Sequence, residues 1–245
     1  MRGTTTLVEG TDYTKSGNTY TIKAAYLATL PTGITTLTFD MSSGADPALT
    51  VTVTATDTDG WVNPFIDVNE SHWFYSDVKY AHQNGLFSGT SANTFSPSMP
   101  MTRGMVVTVL GRLAGIDAAD YSGASFDDVE TSQWYAPYVK WAAEMGIVNG
   151  VGNNNFAPDA NISRQDLAVI LYNYANKMGI ILPEVKAANT FDDEANISGY
   201  AVEAVAAMQK AGIISGKPGN LFDAKGIATR AEVAAMLHRF GEAVK

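Results

Sequence analysis

Residues 126–166 read FDDVETSQWYAPYVKWAAEMGIVNGVGNNNFAPDANISRQD, and this stretch decides the fold because it occurs three times. Upstream, residues 65–105 read FIDVNESHWFYSDVKYAHQNGLFSGTSANTFSPSMPMTRGM. An offset of 61 holds for Trp73/Trp134, Gly85/Gly146, Gly89/Gly150, Phe95/Phe156, Pro97/Pro158 and Arg103/Arg164. Downstream, residues 191–232 read FDDEANISGYAVEAVAAMQKAGIISGKPGNLFDAKGIATRAE. They follow at 65 and then, after a one-residue insertion, at 66, as in Gly212, Gly216, Phe222 and Arg230. A fixed period held at so many positions is the signature of a repeated supersecondary unit.

Each copy predicts helix, loop, helix. The first helices run roughly over Trp73–Asn84, Trp134–Met145 and Tyr200–Ala211. Gly85, Gly146 and Gly212 stop them, since glycine takes the left-handed conformation just past a helix C-terminus. A loop follows, carrying Gly89, Gly150 or Gly216 and then an aromatic plug, Phe95, Phe156 or Phe222. The second helices open at Thr102, Ser163 and Thr229. Their apolar residues recur at three and four, as in Val106, Val109, Leu110 and Leu113, in Leu167, Ile170, Leu171 and Tyr174, and in Val233, Met236, Leu237 and Phe240. Thr229 with Glu232 makes a capping box, and Ser163 with Asp166 a weaker one. Met105 removes the box from the first copy, so Thr102 caps alone.

Composition changes near residue 60. Residues 1–59 are rich in threonine, and Leu49–Thr54 alternates apolar and threonine residues at the period of a half-buried strand. Leu37-Thr38-Phe39 does the same. Gly17-Asn18 reads as a hairpin turn and Pro31-Thr32-Gly33 as another turn. Four or so short strands are thin for a free-standing sandwich, and the block opens as if earlier strands were missing.

The chain has 245 residues, 46% of them apolar, which suits a globular protein. A net charge of −9 argues against a nucleic-acid binder. With no cysteine there is no disulfide, thiol nucleophile or zinc–thiolate site. No apolar run is long enough to span a membrane. The start, MRGTTTLVEG, lacks the apolar core of a signal peptide, so an export signal is expected further upstream.

The repeated pattern F-x-D-V, Trp, G-I-x-x-G, F-x-P and T-R-A-E resembles the S-layer homology (SLH) repeat over about residues 62–245. Residues 7–40, LVEGTDYTKSGNTYTIKAAYLATLPTGITTLTFD, resemble part of an Ig-like module found beside extracellular polysaccharide-degrading enzymes. These resemblances imply a mainly α fold. Three helix-loop-helix repeats, over 62–117, 123–180 and 188–245, would form a pseudo-threefold assembly with grooves between neighbours. A small all-β Ig-like fragment over 1–59 would precede them. They imply a non-covalent anchor at the Gram-positive cell surface, binding a secondary cell-wall polysaccharide with pyruvate ketals on N-acetylmannosamine. The second aspartate of each pair, Asp128 and Asp193, and Asp67 in the first copy, would line or support the groove.

The residues add their own reading. Arg103, Arg164 and Arg230 each follow the N-cap, where a cation is disfavoured by about 0.3–1 kcal/mol when exposed. That recurring position suggests a negative partner: a ligand carboxylate held by guanidinium and free helix amides, or an internal salt bridge to Asp67, Asp128 or Asp193. Trp73 and Trp134 could stack on sugar or anchor a core. In the third copy their place falls on Gly199 or Tyr200. Gly89, Gly150 and Gly216 either admit a ligand close to the backbone or only permit positive φ. Asp127/Asp128 and Asp192/Asp193 could suggest a paired-carboxylate glycosidase, but adjacent residues in a structural repeat read better as turn groups. Asn153–Asn155 with Asp159 match no calcium loop, and His72, His82 and His238 form no ligand spacing. Trp61 and Trp141 lie outside the motif and read as packing residues.

The expectation is therefore a non-catalytic anchor without cofactor or metal. Its first and second grooves would dominate, because the third copy lacks the tryptophan. The alternatives are a fragment of an S-layer lattice subunit, self-associating through unfinished β edges, and the tail of an exported glycan hydrolase.

Overall fold

A computed structural model describes residues 6–31, 33–39, 45, 47–53, 60–187 and 189–244. Parts of the expectations lie outside the described residues: residues 1–5 and 54–59 of the β block, among them Thr54 of the alternating strand, Thr32 of the second turn, Asp40 at the end of the Ig-like stretch, and Ala188 and Lys245 of the third repeat. The chain folds as two compact units, Met1–Asn69 and Glu70–Lys245.

In the first unit, β1 (Tyr13–Ser16) pairs antiparallel with β2 (Thr19–Ile22). The expected turn falls at Gly17-Asn18, with Gly17 at φ 58°. β3 (Gly33–Thr38) and β4 (Ala48–Val53) form a second antiparallel pair, in register from Gly33↔Val53 to Thr38↔Ala48. Val51 and Val53 are half-buried as the alternation predicts, whereas Leu49 is exposed. Tyr20 of the first hairpin meets Phe39 edge-on, with ring centroids 5.4 Å apart. One departure from the all-β expectation is a single helical turn, α1 (Ala24–Leu27). Its Ala-Ala start and Leu27 have high helix propensity, which a strand-only reading passed over.

The second unit contains six α-helices among its described residues. They are α2 (Tyr75–Gln83), α3 (Arg103–Leu113), α4 (Ala136–Glu144), α5 (Arg164–Lys177), α6 (Val202–Lys210) and α7 (Arg230–Ala243). The first helix of each repeat starts two residues later than predicted, which leaves Trp73, Trp134 and Tyr200 ahead of it. No side-chain cap fixes these starts. Gly85, Gly146 and Gly212 end them at φ 67°, 66° and 76°. Thr102 caps alone, through the Met105 N–H, and Thr229 with Glu232 closes a full capping box, both as read; Ser163 accepts the Asp166 N–H, but its hydroxyl rather than its amide meets the Asp166 carboxylate, so the weaker box reduces to a cap.

Packing follows a cyclic rule. α4 lies on α3, α6 on α5, and α2 on α7, so each first helix covers the second helix of the repeat before it. Three backbone hydrogen bonds obey the same order: Ile162 N–H to Met101 O, Ala228 N–H to Ile162 O, and Met101 N–H to Ala228 O, at 2.9, 3.0 and 3.0 Å. These three residues and the plugs Phe95, Phe156 and Phe222 have no exposed surface, so the shared core lies where the repeats meet. Trp141 is buried edge-on to Tyr174 of α5, and Trp61 is buried too.

Candidate functional site

Each repeated arginine reaches into the loop of the next repeat. Arg103 Nε donates to Phe156 O at 2.8 Å and Nη2 to Asn149 O at 3.1 Å. Arg164 does the same with Phe222 O and Ser215 O, and Arg230 with Phe95 O and Ser88 O. The guanidinium also stacks on the plug ring, 4.6 Å from the Phe156 and Phe95 centroids and 5.4 Å from that of Phe222. Arg164 and Arg230 are only 5% and 7% exposed, whereas Arg103 is half-buried. Burial pushes the Arg103 guanidinium below its ordinary value, while the charges of Asp166 and Asp128 oppose the shift.

The helix amides expected to be free for an anion are occupied. Arg103 N–H and Gly104 N–H donate to Ala160 O and Pro158 O; Arg164 and Gln165 to Gly226 O and Ala224 O; Arg230 and Ala231 to Met99 O and Pro97 O. The cap side chain takes the third amide in each helix. A helix start buried against another repeat must satisfy its orphan donors there, so no amide cradle remains at these positions.

The aspartates brace the same loops. Asp128 accepts Phe156 N–H and Ala157 N–H, both at 2.7 Å, and Asp193 accepts Phe222 N–H and Asp223 N–H, also at 2.7 Å. Ala157 and Asp223 stand at φ 56° and 57°, a strained conformation for non-glycine residues that the bidentate carboxylate holds in place. Asp128 therefore meets Arg103 through the Phe156 backbone rather than by a direct salt bridge. Asp127 and Asp192 bind Asn154 and Asn220 side chains, which is turn chemistry and not an opposed acid pair. Asp67 falls in the first unit, Met1–Asn69.

The loop glycines Gly150 and Gly216 are explained by packing, not by positive φ. A Cβ on Gly150 would sit 2.6 Å from Asn155 O, and one on Gly216 2.8 Å from the Phe191 ring. Backbone and ring of the same repeat press against the position, so any side chain collides.

Trp73 and Trp134 are not core anchors. They are 63% and 54% exposed, each edge-on to its neighbour, Phe74 or Tyr135. α6 starts 66 residues after α4, which assigns Tyr200 rather than Gly199 to the tryptophan position. Tyr200 is 63% exposed, and its hydroxyl donates to Asp166 at 2.7 Å and accepts from Gln165 at 2.6 Å. Partial burial and Asp166 push its phenol above the ordinary value.

One groove gathers the repeated residue types from all three copies. It holds about 150 Å³ and is lined by Ser88 and Gly89 of the first repeat, Trp134 of the second and Arg230 of the third. Met105 and Arg112 of α3 complete its wall. A larger cavity, about 360 Å³, lies against Gly216, lined by Lys186, Lys217, Gln209 and Asn220 but by none of the repeated arginines or tryptophans. The motif reading missed Arg112. Its Nη1 donates to Leu86 O at 3.0 Å, and the matching Asn173 donates to Ile147 O at 3.1 Å. The repeat register was the signal that could have found it. The reading also missed that Glu232, besides capping α7, binds Arg164 Nη1 at 2.9 Å.

The S-layer homology domain family matches residues 64–104, 125–168 and 190–234, more than half of the chain. The chain belongs to the S-layer homology family. Residues 1–51 match carbohydrate binding domain X2, in line with the Ig-like reading of that block. An exoglucanase, XynX, of Acetivibrio thermocellus is 32% identical over 71% of this chain, which spans 16% of the relative. The surface-layer 125 kDa protein of Lysinibacillus sphaericus is 33% identical over 46% of this chain and 10% of its own length. A cellulosome-anchoring protein of Acetivibrio thermocellus is 27% identical over 63% of this chain and 35% of its own. The chain thus spans a minor part of each relative. S-layer homology domains anchor proteins to the cell wall, so the chain is a cell-surface module, and both matched modules are non-catalytic. No helix of the described residues is long and apolar enough to cross a membrane, and among them no acidic, histidine or cysteine cluster could hold a metal ion.

Proposed function

We propose that the chain anchors a larger exported protein by binding a pyruvylated, N-acetylmannosamine-containing wall polysaccharide in grooves between its repeats. The three repeats act as a pseudo-threefold assembly over 62–117, 123–180 and 188–245, following the β block of 1–59. Each groove takes the glycine loop of one repeat, the arginine of the preceding one and the aromatic residue of the following one. The sets are Gly89, Arg230 and Trp134; Gly150, Arg103 and Tyr200; Gly216, Arg164 and Trp73. Asp128 and Asp193 act on the ligand indirectly, by bracing the loops.

The observation that carries this reading is Trp134, a large ring left half exposed in a groove beside a guanidinium. Such a ring offers a flat face to sugar and an N–H to its hydroxyls. At net charge −9 the chain gains nothing from long-range attraction to an anionic polymer, so recognition is local. Several grooves on successive sugars raise avidity through effective concentration. Co-sedimentation with wall sacculi tests the reading. The chain should pellet with intact sacculi and stay in solution after their acid-labile polymer is removed; equal pelleting with both preparations refutes it.

A second reading, self-association through the β block, is favoured by its two two-stranded sheets, since among the described residues no third strand joins either one. A chain that sediments as a monomer at high concentration without polymer counts against it.

A further inference from the structure

Asn-Gly occurs twice in the chain, at Asn84-Gly85 and Asn149-Gly150. An asparagine before glycine is the one most prone to lose ammonia, because no side chain obstructs the glycine nitrogen as it turns on the preceding carboxamide. The two pairs stand in opposite surroundings. Asn84 ends α2; its Nδ2 donates to Tyr80 O at 2.8 Å, and Gly85 N–H donates to His82 O at 3.0 Å. Both reacting groups are held there. Asn149 is exposed in the loop after α4, and among the described residues neither its side chain nor the Gly150 N–H makes a hydrogen bond. Its main-chain carbonyl is engaged instead, accepting from Arg103 Nη2 at 3.1 Å.

Position 150 must be glycine, since a Cβ would lie 2.6 Å from Asn155 O. Position 149 is under no such constraint, and the other repeats place Ser88 and Ser215 there.

We infer that Asn149-Gly150 is a self-modification site: Asn149 converts to isoaspartate, and the carboxylate so freed pairs with Arg103. The Gly150 nitrogen gives its proton to solvent base and attacks Asn149 Cγ. The carboxamide C–N bond breaks, ammonia leaves with a proton from solvent, and a succinimide ring remains. Water then opens the ring at one of its two carbonyls, with no change of oxidation state. Arg103 Nη2 already donates to the main-chain carbonyl and stabilises negative charge developing on it, so water is directed there. That opening routes the backbone through Cβ and Cγ. The former main-chain carbonyl carbon becomes a carboxylate beside the guanidinium that held its oxygen, a charge-assisted pair. The inference goes beyond the anchoring reading and needs no polymer.

Ageing the full chain in warm, mildly alkaline buffer tests it, with peptide mapping by electron-transfer fragmentation to tell isoaspartate from aspartate. Asn149 should convert more than about tenfold faster than Asn84, whose groups must first be released by local opening. In urea the two sites should convert alike. Asn149→Ser, the residue of the other repeats, should abolish conversion at 149 in a folded chain. Isoaspartate should exceed aspartate, and in the aged chain the Arg103 Nε–H resonance should shift while those of Arg164 and Arg230 stay. Conversion of Asn84 as fast as Asn149 in the folded chain, or an Asn149 that stays intact while the urea-treated chain converts, overturns the site. A product dominated by aspartate, or an Arg103 resonance that does not move, overturns the pairing.

Discussion

The amide of Met101 donates to the carbonyl of Ala228 at 3.0 Å, tying the first repeat to the last. Ile162 completes the triangle, and all three residues are fully buried. Immediately after each comes a cap residue and then an arginine that grips the next loop. The ring contacts and the groove walls are therefore built from the same short segments, and a change in one is felt in the other.

Arg164 should be the most costly of these residues to remove. Its nitrogens hold Phe222 O, Ser215 O and Glu232, and it is nearly inaccessible. Arg164→Met strands a partly buried carboxylate and two carbonyls, and should lower stability by about 3–5 kcal/mol. Urea denaturation of parent and variant measures the difference.

The arginines also show where sequence reading ran out. The repeat period, the helices, the caps and the plugs were legible because local periodicity and cap chemistry fix them. The arginine partners were not, because Phe156 O and Asn149 O are contributed by another repeat and backbone carbonyls leave no mark in residue identity. For the same reason the helix amides looked free until Ala160 and Pro158 were seen to cover them. Trp134 was legible as a candidate but not as exposed, since a ring at a helix start serves core and groove alike.

Gly150→Ala should destabilise the second repeat. The new methyl group would stand 2.6 Å from Asn155 O and 3.0 Å from the Phe126 ring. Relief requires backbone movement, for about 1–3 kcal/mol. Thermal unfolding of the variant reads this directly.

Trp134→Ala should separate binding from folding. The ring is 54% exposed, so stability should change by no more than about 0.5 kcal/mol. Retention on intact sacculi should fall severalfold, as a pelleting isotherm would show.

Acid sensitivity should include a contribution from Asp223. The Lys217 hydrogen bond, at 2.6 Å, holds its carboxyl below the usual value of 3.8. A carboxyl lowered on folding stabilises the fold above that usual value, and the contribution is lost as pH falls through the lowered one. The pair is well exposed, so it is worth less than about 1 kcal/mol. Lys217→Met should weaken this acid limb in stability measured between pH 5 and about pH 2, leaving the smaller share due to Arg164 and the Gly226 amide.

The indole N–H resonances of the chain's four tryptophans report most directly on where the polymer lies. In a two-dimensional ¹H–¹⁵N spectrum, assigned by single Trp→Phe changes, pyruvylated polymer fragments should shift Trp134 and leave buried Trp141 in place. A titration that saturates with Trp134 unmoved, or that moves Trp141 instead, would contradict the groove as the site of wall binding.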